Sequence, residues 1–327
     1  MTELEAGTEA KVAVIVPNWN GARVLLACLD SLADQSLRGF TTLVVDNGSR
    51  DESLALLRRH HPWARVIALP RNTGFTGAVN TGLAESRSEF VALVNNDVVL
   101  AADWLQRMLD AAGHHPQAGL FAARIVYADD PKRIYAAGDE LTRSGRARGI
   151  GRGEADGAAY DREREVFAAC GGAAFYRRAL LAATGGLDPD FFAYVEDTDL
   201  AFRAHALGWH GRYVPEARAY HVGGASLKGR GEVRSLYCLR NHLYFVIKNY
   251  PARLALRNRR EVLGGVAREI RFTFAAVRGR HGGLAALAAV AGTLTEVVVK
   301  LPKMLWRRWR TARTRRVPVS TLEALFP

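Results

Sequence analysis

The stretch KVAVIVPNWNG, residues 11–21, decides the fold. Its first seven residues form a short, β-branched apolar run stopped by Pro17, the pattern of a parallel strand buried on both faces. Over the next twenty residues the period changes, and Val24, Leu25, Cys28, Leu29 and Leu32 recur at helical spacing, as in a crossover helix. A second strand, TTLVV at 41–45, ends in Asp46-Asn47-Gly48-Ser49; a helix over about 51–60 then leads to a third strand, RVIAL at 65–69. Residues 74–86 read as helix, and FVALV at 90–94 as a fourth strand that ends in Asn95-Asn96-Asp97. Strands alternating with helices predict an α/β chain with a doubly wound sheet, which binds ligands at the carboxyl ends of its strands.

A chain of 327 residues, 49% of them hydrophobic, has material for one large domain and an appendage. Cys28, Cys170 and Cys238 are widely separated and odd in number, which fits neither a disulfide framework nor a clustered metal site; a reducing, cytoplasmic compartment is expected. The N-terminal MTELEAGTEAK is acidic and polar, without the basic and apolar regions of a signal peptide, so export by that route is not expected. The formal charge of +12 is uneven, with +16 on residues 228–327 and −4 on residues 1–227. A basic tail suits nucleic acid, anionic lipid or an anionic substrate, and composition alone does not choose among them.

From about 128 to 165 the pattern weakens into Gly, Arg and Asp, which predicts a mobile loop or irregular hairpin, with a solvated loop favoured over a substrate cover. Regular structure is expected again at 166–176, VFAACGGAAFY, and in a helix beginning near Asp197.

Five constellations carry chemistry, the first made of two segments. Pro17-Asn18-Trp19-Asn20-Gly21 and Asp46-Asn47-Gly48-Ser49 set amides and a carboxylate at adjacent strand ends, where they can read a base and hold a ribose; taken singly, each makes a turn and caps a helix equally well. Arg71-Asn72-Thr73-Gly74-Phe75-Thr76-Gly77 is a glycine-rich helix start whose backbone N–H groups can approach a phosphate, or else a tight turn with Phe75 packed inside. Asp97, after a buried strand and beside Asn95 and Asn96, suits a hard cation that also binds a diphosphate. Glu196, Asp197 and Asp199 crowd one helix start, a repulsion tolerated for a cation or a proton transfer, or an acidic first turn favoured by the helix dipole. His221, in YHVGGAS, is a lone histidine, more often structural than a ligand.

In order, VPNWNG, VVDNGSRD, RNTGFTGAVN, LVNNDV, CGGAAFYRR and FFAYVEDTDLAFR resemble family 2 glycosyltransferases of the GT-A fold, and within them the bacterial branch containing rhamnosyltransferases. The resemblance spans Val12 to about Ser226. It implies a metal-dependent, inverting transferase that moves a sugar, with rhamnose the first guess, from a nucleotide diphosphate donor to a cell-surface glycan or polyprenyl-diphosphate-linked acceptor. Carried over by position, Pro17, Asn18, Asn20, Asp46, Asn72, Gly74 and Asn96 line the nucleotide pocket, and Gly171 and Gly172 pass close to the transferred sugar. Asp97 is the metal-binding end of a DxD motif whose first aspartate is here Asn95, and His221 is the second protein ligand of a Mg²⁺ or Mn²⁺ ion. Of the acidic motif, Asp197 is the catalytic base and Glu196 orients the acceptor. Asp199 is expected to stay out of the catalytic role, free to cap the helix or to pair with a nearby arginine such as Arg203.

Two other classes compete. A nucleotidyltransferase would carry a Gly-rich loop with Lys or Arg after strand one, where this chain has PNWNG; a nucleotide-binding scaffold with a nucleic-acid-binding tail is the non-enzymatic alternative. The division expected is a GT-A domain over 10–226 and a basic helical region over 227–327. Residues 252–280 mix apolar residues with arginines, as a basic interfacial helix does; 283–299 are apolar but short and interrupted by Glu296, favouring a helix lying in the membrane plane over a span. Trp306 and Trp309 beside Arg307, Arg308 and Arg310 read as an interfacial anchor. The expectation is a cytoplasmic protein on the inner membrane face that does not bind nucleic acid; a solvated helix pair packed on the domain is the plainer alternative.

Overall fold

The structure, a computed structural model, describes residues 10–222 and 231–326. The first half winds as β1 (Val12–Asn18), α1 (Leu25–Ala33), β2 (Thr41–Asp46), α2 (Ser53–His60), β3 (Arg65–Ala68), α3 (Gly74–Ala84), β4 (Phe90–Val94), β5 (Val98–Leu100) and α4 (Trp104–His114). Strands β6 (Ala118–Tyr127), β7 (Ile134–Ala137), β8 (Asp139–Leu141), β9 (Ala147–Gly149), β10 (Arg164–Val166) and β11 (Ala173–Arg177) follow. Then come α5 (Arg178–Thr184), a 3-10 turn at Pro189–Phe191, α6 (Glu196–Ala206) and β12 (His210–His221). The chain closes with α7 (Gly231–Asn249), α8 (Ala252–Arg257), α9 (Arg259–His281), α10 (Gly283–Thr314) and α11 (Val319–Glu323).

One mixed sheet runs in the order β10-β12-β6-β11-β4-β1-β2-β3. β3, β2, β1 and β4 are parallel, while β11 is antiparallel to β4 and β6. Helices cover both faces, which is why β1 reads as an unbroken apolar run. Val12, Val14 and Val16 pack with Leu25, Leu29 and Trp104 on one face; Ile15 packs with Ala78 and Val79 on the other. Beyond β12, α7, α9 and α10 pack on one another, and α7 meets α6 and the turn before it.

Three expectations need correction. Residues 128–165 are not a bare loop: β7 and β10 join the main sheet, and β8 and β9 form a ribbon. Their three- and four-residue strands are too short to leave a periodic signature. Of the expected regular run 166–176, only Val166, which ends β10, and the residues from Ala173 onward are strand, and Cys170-Gly171-Gly172 lies in the irregular segment between them. Finally, 283–299 are part of a 32-residue helix, among the described residues the one long and apolar enough to cross a membrane by length and composition. The helix runs through Glu296, whose carboxylate meets Arg240 on α7 at 3.1 Å.

Candidate functional site

Parallel pairing puts Asn18 opposite Asp46 at the carboxyl ends of β1 and β2. Asn18 Nδ2 donates to Asp46 Oδ1 at 3.0 Å, and Asn96 Nδ2 donates to Asn18 Oδ1 at 2.7 Å, so residues from three strand ends form one buried chain. The other oxygen of Asp46 accepts from Ser49 N at 3.1 Å. Asn20 is exposed beside this chain at φ 51°, and its Oδ1 accepts from Arg50 N at 2.8 Å. Pro17 is buried inside β1, where it sets the strand end and not the cleft surface.

Asn72 and Gly74 open α3. Asn72 Oδ1 accepts from Gly74 N at 2.8 Å and from Asn47 Nδ2 at 3.1 Å. Asn47 also donates to Gly74 O and accepts from Thr73 N at 2.8 Å, tying the end of β2 to the start of α3. It was absent from the expected site, although it lies inside a motif that pointed there. Gly74 has φ +81°, and a Cβ there would stand 2.5 Å from Phe192 Cδ2, so neither the backbone angle nor the space admits a side chain.

Asp97 and His221 are brought together by strand pairing. Asp97 sits in the turn between β4 and β5, and β12 runs antiparallel to β5 with His221 opposite Val98. His221 Nε2 lies 3.2 Å from Asp97 Oδ1, and both side chains are about 6% exposed. His221 Nδ1 is buried without a hydrogen-bond partner among the described residues, and the Tyr135 ring meets the imidazole edge-on at 4.4 Å. A carboxylate oxygen and a buried, unsatisfied imidazole fit a divalent cation. Among the described residues no three His, Cys, Asp or Glu side chains cluster to complete a shell. Gly223–Ser226 of the histidine motif lie outside the described residues.

The acidic motif opens α6. Asp197 Oδ1 accepts from Thr198 N at 2.7 Å, and its Oδ2 from Gly171 N at 3.4 Å. Asp197 is not the helix cap: that position belongs to Val195, at φ 68°. Burial raises the pKa of Asp197 against the hydrogen bonds that lower it. Glu196 is buried, with Oε2 unpartnered among the described residues; burial, then the charge of Asp197, pushes its pKa up to about 8. Asp199, two residues on from Asp197 and so on the opposite side of the helix, pairs with Arg203 at 2.8 Å. It also meets Lys248 at 2.7 Å and accepts from Asn249 Nδ2 at 2.8 Å. Burial opposes the charge on Asp199, but Arg203 and Lys248 outweigh it and hold its pKa low.

Gly171 and Gly172 stand between the two groups. A Cβ on Gly171 would lie 3.8 Å from Asp197 Oδ2, and one on Gly172 would lie 3.4 Å from the His221 ring. One dipeptide therefore separates the Asp97–His221 pair from the Glu196–Asp197 pair with no side chain in between. The wall beside it holds Asp139, whose pKa burial, then the charge of Asp197, raises to about 7. Sequence reading missed Asp139 and Tyr135 because the 128–165 segment gave no periodicity.

A doubly wound sheet with amides, a carboxylate–histidine pair and an acidic helix start at its strand ends is that of a GT-A glycosyltransferase. The profile described as Glycosyl transferase family 2 matches residues 13–185, over half of the chain, and the chain belongs to that family. The Sinorhizobium fredii (strain NBRC 101917 / NGR234) protein y4gI is 31% identical over 233 residues; the match covers 66% of this chain, which spans only 25% of that longer relative. An N-acetylglucosaminyl-diphospho-decaprenol L-rhamnosyltransferase of Mycobacterium tuberculosis is 27% identical over 289 residues, covering 77% of this chain and 93% of its own. Among solved structures, the mannosyltransferase PcManGT from Pyrobaculum calidifontis, in complex with GDP-Man and Mn²⁺, superposes with a TM-score of 0.54 at 19% identity, covering 94% of this chain and 86% of its own. S. aureus TarS 1–349 in complex with UDP-GlcNAc gives 0.57 at 17% identity, covering 90% and 82%. At those identities the structures establish the fold. Family membership makes the chain a glycosyltransferase enzyme and removes the nucleotidyltransferase and scaffold readings.

Proposed function

We propose that this enzyme is an inverting, metal-dependent transferase that moves a sugar, rhamnose as the first candidate, from a nucleoside diphosphate to a cell-surface glycan or polyprenyl-diphosphate-linked acceptor at the cytoplasmic membrane face. The observation that carries the reading is the Gly171–Gly172 dipeptide, which touches Asp197 on one side and His221 on the other. A donor laid along it has its diphosphate end toward Asp97 and His221 and its anomeric carbon toward the acidic motif. The relatives' and neighbours' names supply the classes of sugar and acceptor: a rhamnosyltransferase acting on a lipid diphosphate, and enzymes solved with nucleotide sugars.

In this reading Asn18, Asp46, Asn72 and Asn96 hold the nucleoside and Gly74 admits it closely. Asp97 and His221 hold Mg²⁺ or Mn²⁺, which when bound stabilises the charge of the departing diphosphate. Asp197, ionised, takes the proton from the acceptor hydroxyl as its oxygen attacks the anomeric carbon from the face opposite the leaving group, which inverts the configuration. Glu196, protonated near neutral pH, donates a hydrogen bond that orients the acceptor.

We read residues 10–226 as the transferase domain and 227–327 as the part that docks on the membrane, lipid and not nucleic acid being the partner of its charge. Leu284, Leu287, Val298, Val299, Leu305, Trp306 and Trp309 lie exposed along α10, with Arg310 over the Trp306 ring at 5.3 Å and Arg313 over Trp309 at 4.4 Å, an arrangement suited to an anionic lipid surface. Arg307 is not part of that anchor, since it turns inward to Asp188 and Asp190. A panel of sugar nucleotides with Mn²⁺, scored for release of the nucleoside diphosphate with and without lipid-linked acceptor, tests the reading. Acceptor-dependent release from one donor supports it; no release from any donor overturns it.

A further inference from the structure

Phe192, Tyr194 and Val195, immediately before the acidic motif, have φ of 62°, 71° and 68°. None is glycine and Val195 is β-branched, so this left-handed turn persists only if its surroundings hold it. They do so chiefly through one side chain. Asn241 on α7 is fully buried, and its Nδ2 shares its two hydrogens among three carbonyl oxygens, Phe191 O at 2.8 Å, Ala193 O at 2.8 Å and Tyr194 O at 2.7 Å. Its neighbours on α7 reinforce the grip: Arg240 Nη2 reaches Phe191 O at 2.9 Å, Tyr237 stacks on Phe192 at 5.4 Å, and the Arg234 guanidinium lies over the Tyr194 ring at 5.5 Å.

The same turn faces the nucleotide side. Phe192 O accepts from Thr76 N at 3.1 Å, and the Phe192 ring closes over Gly74. One strained turn is thus the wall shared by the glycine-rich start of α3 and the carboxylates of α6.

We propose that Asn241 is a positioning residue for sugar transfer, whose amide holds the 192–195 turn left-handed and so sets Glu196 and Asp197 against Gly171 while seating the start of α3. This rests on the reading of Glu196 and Asp197 as the acceptor-side acids. It makes α7 a working part of the transferase, in addition to its place under the C-terminal helices.

The test uses the full chain with Asn241→Leu, which keeps the volume and removes the donor, and the double variant Asn241→Leu/Val195→Gly. Glycine adopts positive φ without a side-chain penalty, so it restores the turn if holding φ is what Asn241 does. Asn241→Leu is expected to lower kcat about 10- to 100-fold with donor KM changed less than about threefold, and the double variant to regain at least about fivefold. Hydrogen exchange at the amides of 193–199 reads the clamp without turnover and is expected to quicken in Asn241→Leu and slow again in the double variant. If Asn241→Leu does not fold, Asn241→Ser, which keeps one donor, replaces it with the same expected order. Unchanged exchange overturns the clamp; faster exchange with wild-type kcat per folded molecule overturns the positioning role. A wild-type chain that transfers no sugar overturns the reading of the acids, and exchange still judges the clamp.

Discussion

Glu196 and Asp197 share one helix turn, yet their surroundings separate their roles. Asp197 is half-buried with hydrogen-bonded oxygens, whereas Glu196 is buried with one oxygen unpartnered among the described residues. Asp197→Asn keeps the shape and removes the basicity, so transfer should fall roughly 10²- to 10⁴-fold with donor binding little changed. Near wild-type turnover in Asp197→Asn, with Glu196→Gln inactive, would exchange the two roles. Glu196 also makes a stability prediction. Its pKa rises from about 4.3 in the unfolded chain to about 8 in the fold, so the fold favours its neutral form, and the stability this group contributes is lost as pH rises through 8. Glu196→Gln should therefore raise Tm at pH 9 by more than at pH 6; equal shifts at the two pH values would contradict the burial argument. Asp97, Glu196 and Asp197 could be singled out as candidates because their motifs stand at a strand end and a helix start, whereas His221 became a candidate only through the family resemblance. Lys248 could not be singled out, since its partners Asp188 and Asp199 lie 60 and 49 positions away in sequence and meet it only in the fold.

At the scale of elements, legibility followed burial. β1 and β4, apolar on both faces, and α1, with its helical spacing, could be read directly, whereas β7 to β10 are held by backbone pairing that no side-chain period announces. α10 reads in the sequence as a short apolar segment interrupted by Glu296 because its polar continuation to Thr314 carries no apolar run, although the helix is one piece and Arg240 meets Glu296 on it. The joint between α7, α10 and the domain is ionic: Lys248 meets Asp188 at 2.6 Å, Lys300 meets Asp190 at 3.0 Å, and Arg307 reaches both aspartates. Burial opposes the charge of Asp188, but Lys248 and Arg307 outweigh it and hold its pKa well below the usual range. Lys248→Met would leave Asp188 and Asp199 buried without that cation and should cost about 3–5 kcal/mol of stability, measured by denaturant unfolding. A loss below about 1 kcal/mol would mean that Arg203 and Arg307 suffice. The outer face of α10 is a separate matter. Trp306→Ser with Trp309→Ser should weaken binding to anionic vesicles at least about tenfold while turnover of soluble substrates stays within about twofold; undiminished co-sedimentation would refute the membrane role.

Across the whole molecule, the +16 of residues 228–327 divides between two tasks. Arg240, Lys248, Lys300, Lys303 and Arg307 are spent on acidic groups of the fold, and Arg310 and Arg313 stay outside beside the tryptophans. The sequence charge reads as pointing outward, and it does not reveal that part of it is internal, because ion pairing across 50 to 120 positions is a property of the folded chain. Inside the sheet, three strand ends, a glycine pair and one helix start converge, and it is there that the proposed nucleotide sugar, cation and acceptor would meet. The most direct test of that account is release of nucleoside diphosphate from a sugar-nucleotide panel by wild type and Asp97→Ala, each with Mn²⁺ and with EDTA. The account predicts acceptor-dependent release by wild type with Mn²⁺, loss of that release in EDTA, and no transfer by a folded Asp97→Ala under either condition. Full activity of Asp97→Ala in EDTA would contradict it.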